Sequence, residues 1–104
     1  MTFTGPLEDR IAIREHLETY ADAVCRVDAD AWGSTWVEDG LWELPDFPDI
    51  GAVKGRANIV ALWKTAMENF PGLVFLATPG SIVVNGDEAR AVSYTTEVYD
   101  RDGV

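Results

Sequence analysis

The chain holds one cysteine and one histidine among 104 residues. A single thiol, Cys25, excludes an internal disulfide and fits a reducing compartment. Basic side chains are also scarce, with 8 Lys and Arg against 18 Asp and Glu and a net charge of −10. That balance argues against nucleic acid, whose condensed counterions must be replaced by Lys and Arg. It argues equally against docking on anionic membranes. An acidic surface of this kind keeps a protein soluble and self-repelling. No run approaches the roughly 20 apolar residues needed to span a bilayer. Glu8, Asp9 and Arg10 break the first apolar run, so no secretory signal is expected. A cytoplasmic protein is the resulting expectation. The chain lacks G-x-G-x-x-G, a P-loop and G-x-S-x-G. It also lacks the D-x-[DN]-x-[DN]-G calcium loop. No cofactor and no metal are therefore expected.

Hydrophobic residues make up 47% of the chain, enough for one core in one domain spanning 1–104. Residues 8–26 read as a helix, because Ile13, Leu17, Tyr20, Ala21 and Val24 form a single stripe. Asp28 caps a second, shorter helix carrying Trp32 and Trp36 on one face, and Asp39-Gly40 ends it. "LWEL" at 41–44 reads as a strand, "PDFPDIG" at 45–51 as a loop, and 52–54 as a further short strand. A third helix is expected from Arg56 to Phe70, stopped by Pro71-Gly72, with Met67 at the edge of its apolar stripe. "LVFLAT" and "SIVV" are strand runs interrupted at Pro79-Gly80, where a bulge is expected. "NGD" at 85–87 marks a tight hairpin, and "EARAVSYTTEVY" returns as a long strand. "DRDG" at 100–103 reads as the next hairpin turn. Helices first and antiparallel strands after predict an α+β fold.

Four stretches carry a resemblance: "DRIAIREHLETYADAV", "DADAWGSTWVEDGLWEL", "VKGRANIVALW" and "VVNGDEARAVSYTTEVYDRDG". Their order and spacing resemble the SnoaL-like branch of the nuclear transport factor 2-like superfamily. The resemblance implies a cone, in which a curved antiparallel sheet wraps the long first helix around an apolar pocket. It implies relatives that are polyketide cyclases, scytalone dehydratase and steroid isomerases, beside association domains with no chemistry. It further implies homodimers through the outer face of the sheet. The family domain usually continues for about two more strands, so the chain is expected to cover its first three quarters. A shortened cone would leave the strand at 88–99 with an open edge. Dehydratase-type relatives place a polar residue near the end of the first helix, where this chain has Cys25. They place a histidine on the strand after the third helix, where it has Phe75.

Candidate chemistry falls on few residues. Glu97 alternates with Ser93 and Thr95 on one strand face. If that face lines the pocket, Glu97 is a candidate general acid or base. If Val92, Tyr94 and Val98 point inward instead, Glu97 is solvated. Tyr20 is either the hydroxyl that steadies a substrate oxygen or a core tyrosine with a wet tip. His16, at a stripe edge, reads as a half-exposed surface residue, and Cys25 as structural, since no base lies near it. The expected pocket wall comprises Tyr20, Cys25, Trp36, Trp42, Trp63, Met67 and Phe75, with Trp32 nearer the surface. Such walls suit a small apolar or aromatic molecule. A cofactor-free cyclisation, isomerisation or dehydration by Glu97 and Tyr20 is the first functional expectation. A non-catalytic binding or dimerisation module is the second, and a truncated chain without activity the third.

Overall fold

The structure is a computed structural model, and it describes residues 2–100. Its elements are β1 (Phe3–Thr4), α1 (Leu7–Arg26), α2 (Ala29–Ser34), β2 (Leu41–Leu44), β3 (Gly51–Lys54), α3 (Arg56–Met67), β4 (Val74–Asn85) and β5 (Glu88–Val98). β4 and β5 form a long antiparallel hairpin, β2 and β3 a separate short one. The curved sheet lies against α1, in the α+β class expected. The turn expected at 100–103 falls on residues outside those described.

β1 is an addition to the expected set, and it runs parallel to β4, with Phe3 opposite Ile82. Gly5 makes this docking possible. Its φ of +106° suits glycine, and a β-carbon there would stand 2.6 Å from Val84 Cβ.

α1 ends where Val27 turns into the left-handed region at φ 51°. α2 begins as expected, with the Asp28 carboxylate accepting the Ala31 N–H at 3.0 Å. It stops at Ser34, well before Asp39-Gly40. The Ser34 and Thr35 hydroxyls bond back to the carbonyls of Ala31 and Trp32, both at 2.6 Å. Trp36 therefore lies beyond the helix rather than on its face. α3 likewise ends at Met67, short of Phe70, and Ile59, Trp63 and Met67 form its buried line. Met67 thus belongs to the centre of that stripe.

Trp32 also departs from expectation. It is wholly buried, not near the surface. α2 packs between α1 and α3, so the Trp32 ring stacks on Trp63 with centroids 4.5 Å apart and planes 9° apart. Tyr20, Trp36 and Trp42 surround its other sides at 5.6–5.8 Å.

The hairpin register sets which side chains share a face. Asn85 pairs with Glu88 across the turn, where Gly86 takes a φ of +63°. At Pro79–Ser81 the register slips by one residue. That extra residue reverses the alternation of β4. Ile82 and Val84 point inward beyond the bulge, and Phe75 and Ala77 point inward before it. β5 has no bulge, so Ala89, Ala91, Ser93, Thr95 and Glu97 keep one face along its whole length. The outer face carries Val74, Leu76, Val92, Tyr94 and Val98, all exposed. Among the described residues β5 is the sheet edge, and every residue in it is exposed.

Candidate functional site

Phe75 and Glu97 are directly opposed across β4 and β5. Opposed residues project to the same side of a sheet. Phe75 is buried against Tyr20, with ring centroids 5.7 Å apart. Glu97 is thereby carried to the inner face, at the rim of a cavity of about 340 Å³.

Each element adds its part of the wall. α1 supplies Tyr20 and Val24, one turn apart. From α3 come Leu62, Trp63, Ala66 and Met67. β2 adds Trp42 and Leu44, alternate residues of one strand. Phe70 and Leu73, in the connection to β4, close the far end. Phe47 and Ile50 reach in from the loop after β2. That loop is held by turns, with the Ile50 and Gly51 amides both donating to the Phe47 carbonyl at 2.9 and 3.0 Å. Among the described residues that line it, Tyr20 and Glu97 alone carry a hydroxyl or a carboxyl group.

The electrostatics couple these two groups. Burial pushes the Tyr20 hydroxyl above the ordinary phenol value of 10.0. The Trp32 indole N–H, close to the phenol oxygen, pulls it partway down. It stops short of hydrogen-bond geometry and has no other partner. The negative charge of Glu97 adds to the rise. Tyr20 is consequently a neutral hydrogen-bond donor at every ordinary pH.

Of the expected wall residues, the cavity gathers Tyr20, Trp42, Trp63, Met67 and Phe75, together with Glu97. Cys25 and Trp36 lie outside it. The Cys25 sulfur accepts the Phe75 N–H at 3.2 Å, and its thiol donates to the Phe75 carbonyl at 3.4 Å. Cys25 therefore ties α1 to the edge of β4 facing away from β5. Trp36, past the end of α2, packs on Trp32 and Trp42 from behind the wall. His16 is exposed, and its Nε2–H donates to the Thr35 carbonyl at 2.9 Å, linking α1 to the end of α2. Phe47 and Ile50 were not among the expected lining. The signal for them is two large apolar residues within an otherwise Pro- and Asp-rich loop.

Among the described residues, no three His, Cys, Asp or Glu side chains converge as metal ligands. No helix among them is long and apolar enough to cross a membrane.

A family model for the SnoaL-like domain matches residues 5–103. The fold is similar to an NTF2-like protein with a cystatin-like fold from Novosphingobium aromaticivorans, at 33% identity and a TM-score of 0.77, covering 94% of this chain and 64% of that one. A candidate aromatic ring hydroxylase from the same organism is 27% identical with a TM-score of 0.70, covering 92% of this chain and 69% of that one. A protein of unknown function with a cystatin-like fold from Nostoc punctiforme is 23% identical with a TM-score of 0.78, covering 95% of this chain and 71% of that one. Among proteins with curated descriptions, none matches the chain.

Proposed function

Because the chain belongs to the SnoaL-like domain family, we propose that it binds a small hydrophobic or aromatic molecule beside Tyr20 and Glu97. One observation carries this reading. A cavity of about 340 Å³ has apolar walls and a single hydroxyl–carboxyl pair. Sites for small organic ligands have this composition, with few polar groups to fix orientation. The candidate aromatic ring hydroxylase among the similar structures favours an aromatic ligand.

The chemistry that suits the pair is proton transfer without a cofactor, as in an isomerisation, cyclisation or dehydration. Glu97 takes a proton from carbon. The neutral Tyr20 hydroxyl donates to the substrate oxygen on which negative charge develops. The raised phenol pKa keeps that donor protonated. A cytoplasmic location belongs to the same reading and rests on composition alone.

The second reading is a non-catalytic binding or dimerisation module. The exposed outer sheet face favours the dimer in either case, since Leu76 is 61%, Tyr94 70% and Val98 62% exposed. Sedimentation of the wild type and of Leu76→Asp separates monomer from dimer.

Tryptophan fluorescence, titrated with a panel of aromatic and polycyclic ketones, tests binding, because Trp42 and Trp63 line the cavity. Turnover of any binder is then followed in the wild type, Glu97→Gln and Tyr20→Phe. Loss of turnover with binding retained supports the catalytic pair. Binding without turnover supports the module, and no binding by any member of the panel defeats the ligand reading.

A further inference from the structure

Among the described residues that line the cavity, Glu97 is the only carboxylate, and no Lys, Arg or His is with it. Six aromatic side chains line the same cavity: Tyr20, Trp42, Phe47, Trp63, Phe70 and Phe75. An anionic ligand here would meet a like charge and no positive partner. A neutral ligand would gain from burial alone. A cation would gain from burial, from Glu97, and from the negative faces of the rings. Burial is the main cause of the raised Tyr20 pKa, and the Glu97 charge adds to it. The whole chain carries −10, which favours approach of a cation as well.

Building on the ligand-binding reading above, we infer that the cavity selects an organic cation. Its chemical class is a tertiary or quaternary ammonium, or an iminium, carried on an aromatic body. The nitrogen sits toward Glu97, and the body lies among the rings of α3 and β2. A soft, weakly hydrated cation is required, because a primary ammonium loses more hydration on entering an apolar cavity. Glu97 is solvent-exposed at the rim, so screening keeps the charge preference moderate. An advantage of about tenfold over a neutral ligand of equal size is expected.

The test uses three probes with one phenylpropyl body: its trimethylammonium, its alcohol and its carboxylate. Each is titrated into wild type, Glu97→Gln and the surface control Glu88→Gln at physiological ionic strength, by calorimetry and tryptophan fluorescence. The expected order in wild type is ammonium, then alcohol, then carboxylate. Glu97→Gln should bring ammonium and alcohol within about twofold of each other, while Glu88→Gln keeps the wild-type order. Equal binding of alcohol and ammonium to wild type overturns the cation inference and leaves the ligand cavity standing. Persistence of the full cation preference in Glu97→Gln overturns the inference that the nitrogen is held at Glu97, because the attraction would then come from the rings or from the net charge. Failure of all three probes to bind overturns the inference and the ligand reading together.

Discussion

Truncating Trp32 to alanine should cost this domain a large fraction of its stability. The side chain is wholly buried, and its ring touches four others with centroids 4.5–5.8 Å away. Removing a large buried ring costs about 3–5 kcal/mol, as lost transfer energy plus a cavity that neighbours fill only in part. A chain of this length is stable by roughly 5–15 kcal/mol in total. With a urea m-value of about 1.5 kcal/mol/M, the midpoint should fall by roughly 2–3 M. Trp32→Phe should cost much less, about 1–2 kcal/mol. Phenylalanine keeps most of the ring and removes an indole N–H that has no partner, so one loss is offset by one relief. Urea unfolding followed by far-UV circular dichroism measures both variants, since the substitution removes one of the four tryptophans on which fluorescence would depend. The reasoning fails if Trp32→Ala costs under about 2 kcal/mol at unchanged m. It fails separately if Trp32→Phe costs as much as Trp32→Ala, because the N–H would then have to be stabilising.

Tyr20 should respond in opposite directions to its two neighbours: Trp32→Phe removes the N–H that lowers its pKa, and Glu97→Gln removes a charge that raises it. An ultraviolet titration of the tyrosines, with Tyr20→Phe to assign the highest one, should show it moving up in the first and down in the second. Because the folded-state pKa is raised, the stability linked to the neutral phenol is fully present below pH 10.0 and is lost as pH climbs through the folded value. Stability measured at increasing alkaline pH should therefore fall less steeply in Tyr20→Phe than in wild type. Cys25→Val should destabilise by about 1 kcal/mol, because the Phe75 N–H and carbonyl both lose their sulfur partner. Cys25→Ser, which can restore both bonds, should cost less in the same urea assay, and the reverse ranking would show that only apolar packing matters there. Gly5→Ala should cost about 1–3 kcal/mol through a strained φ and a clash with Val84. Hydrogen exchange at the Ile82 amide, bonded to the Thr2 carbonyl at 2.9 Å, should speed up as β1 detaches.

The elements were legible in the sequence wherever one local rule decided them. The Asp28 cap, the Asn85-Gly86 turn and the bulge beside Gly80 each depend on a few adjacent residues. Local rules failed where tertiary packing took over. Gly33 and two back-bonding hydroxyls end α2 early, although Asp39-Gly40 is the stronger punctuation. Trp32 lies on a helix with exposed Ser34 and Asp30, and only the approach of both α1 and α3 makes it the largest fully buried side chain among the described residues. The orientation of Glu97 could not be read from β5 alone, because both of its faces mix small, polar and apolar residues. It follows from β4, whose bulge joins the inward side of Ile82 to the inward side of Phe75.

The two positions where the family resemblance implies polar chemistry bear directly on where a reaction would occur. Cys25 and Phe75 occupy them, and the structure joins the two through the Cys25 sulfur and the Phe75 backbone. That contact sits on the edge of β4 away from β5, so the thiol is turned to the backbone and not to the cavity. The Phe75 side chain faces inward and replaces a titratable group with apolar surface. The Phe75 ring, 5.7 Å from that of Tyr20, contributes to the burial that raises the Tyr20 hydroxyl. The residue opposed to Phe75 across the hairpin is Glu97. A carboxylate therefore stands one strand away from the position where the family resemblance implies a histidine. On the proposed reading, the basic group has moved across the register from β4 to β5, and the polar group of α1 has moved five residues back to Tyr20. This predicts that Phe75→His, which places a histidine beside Glu97, alters the pH dependence of any turnover more than Cys25→Asp does. A histidine there faces the cavity, whereas an aspartate at position 25 faces the β4 backbone. Equal effects of the two substitutions would refute the shift across the register.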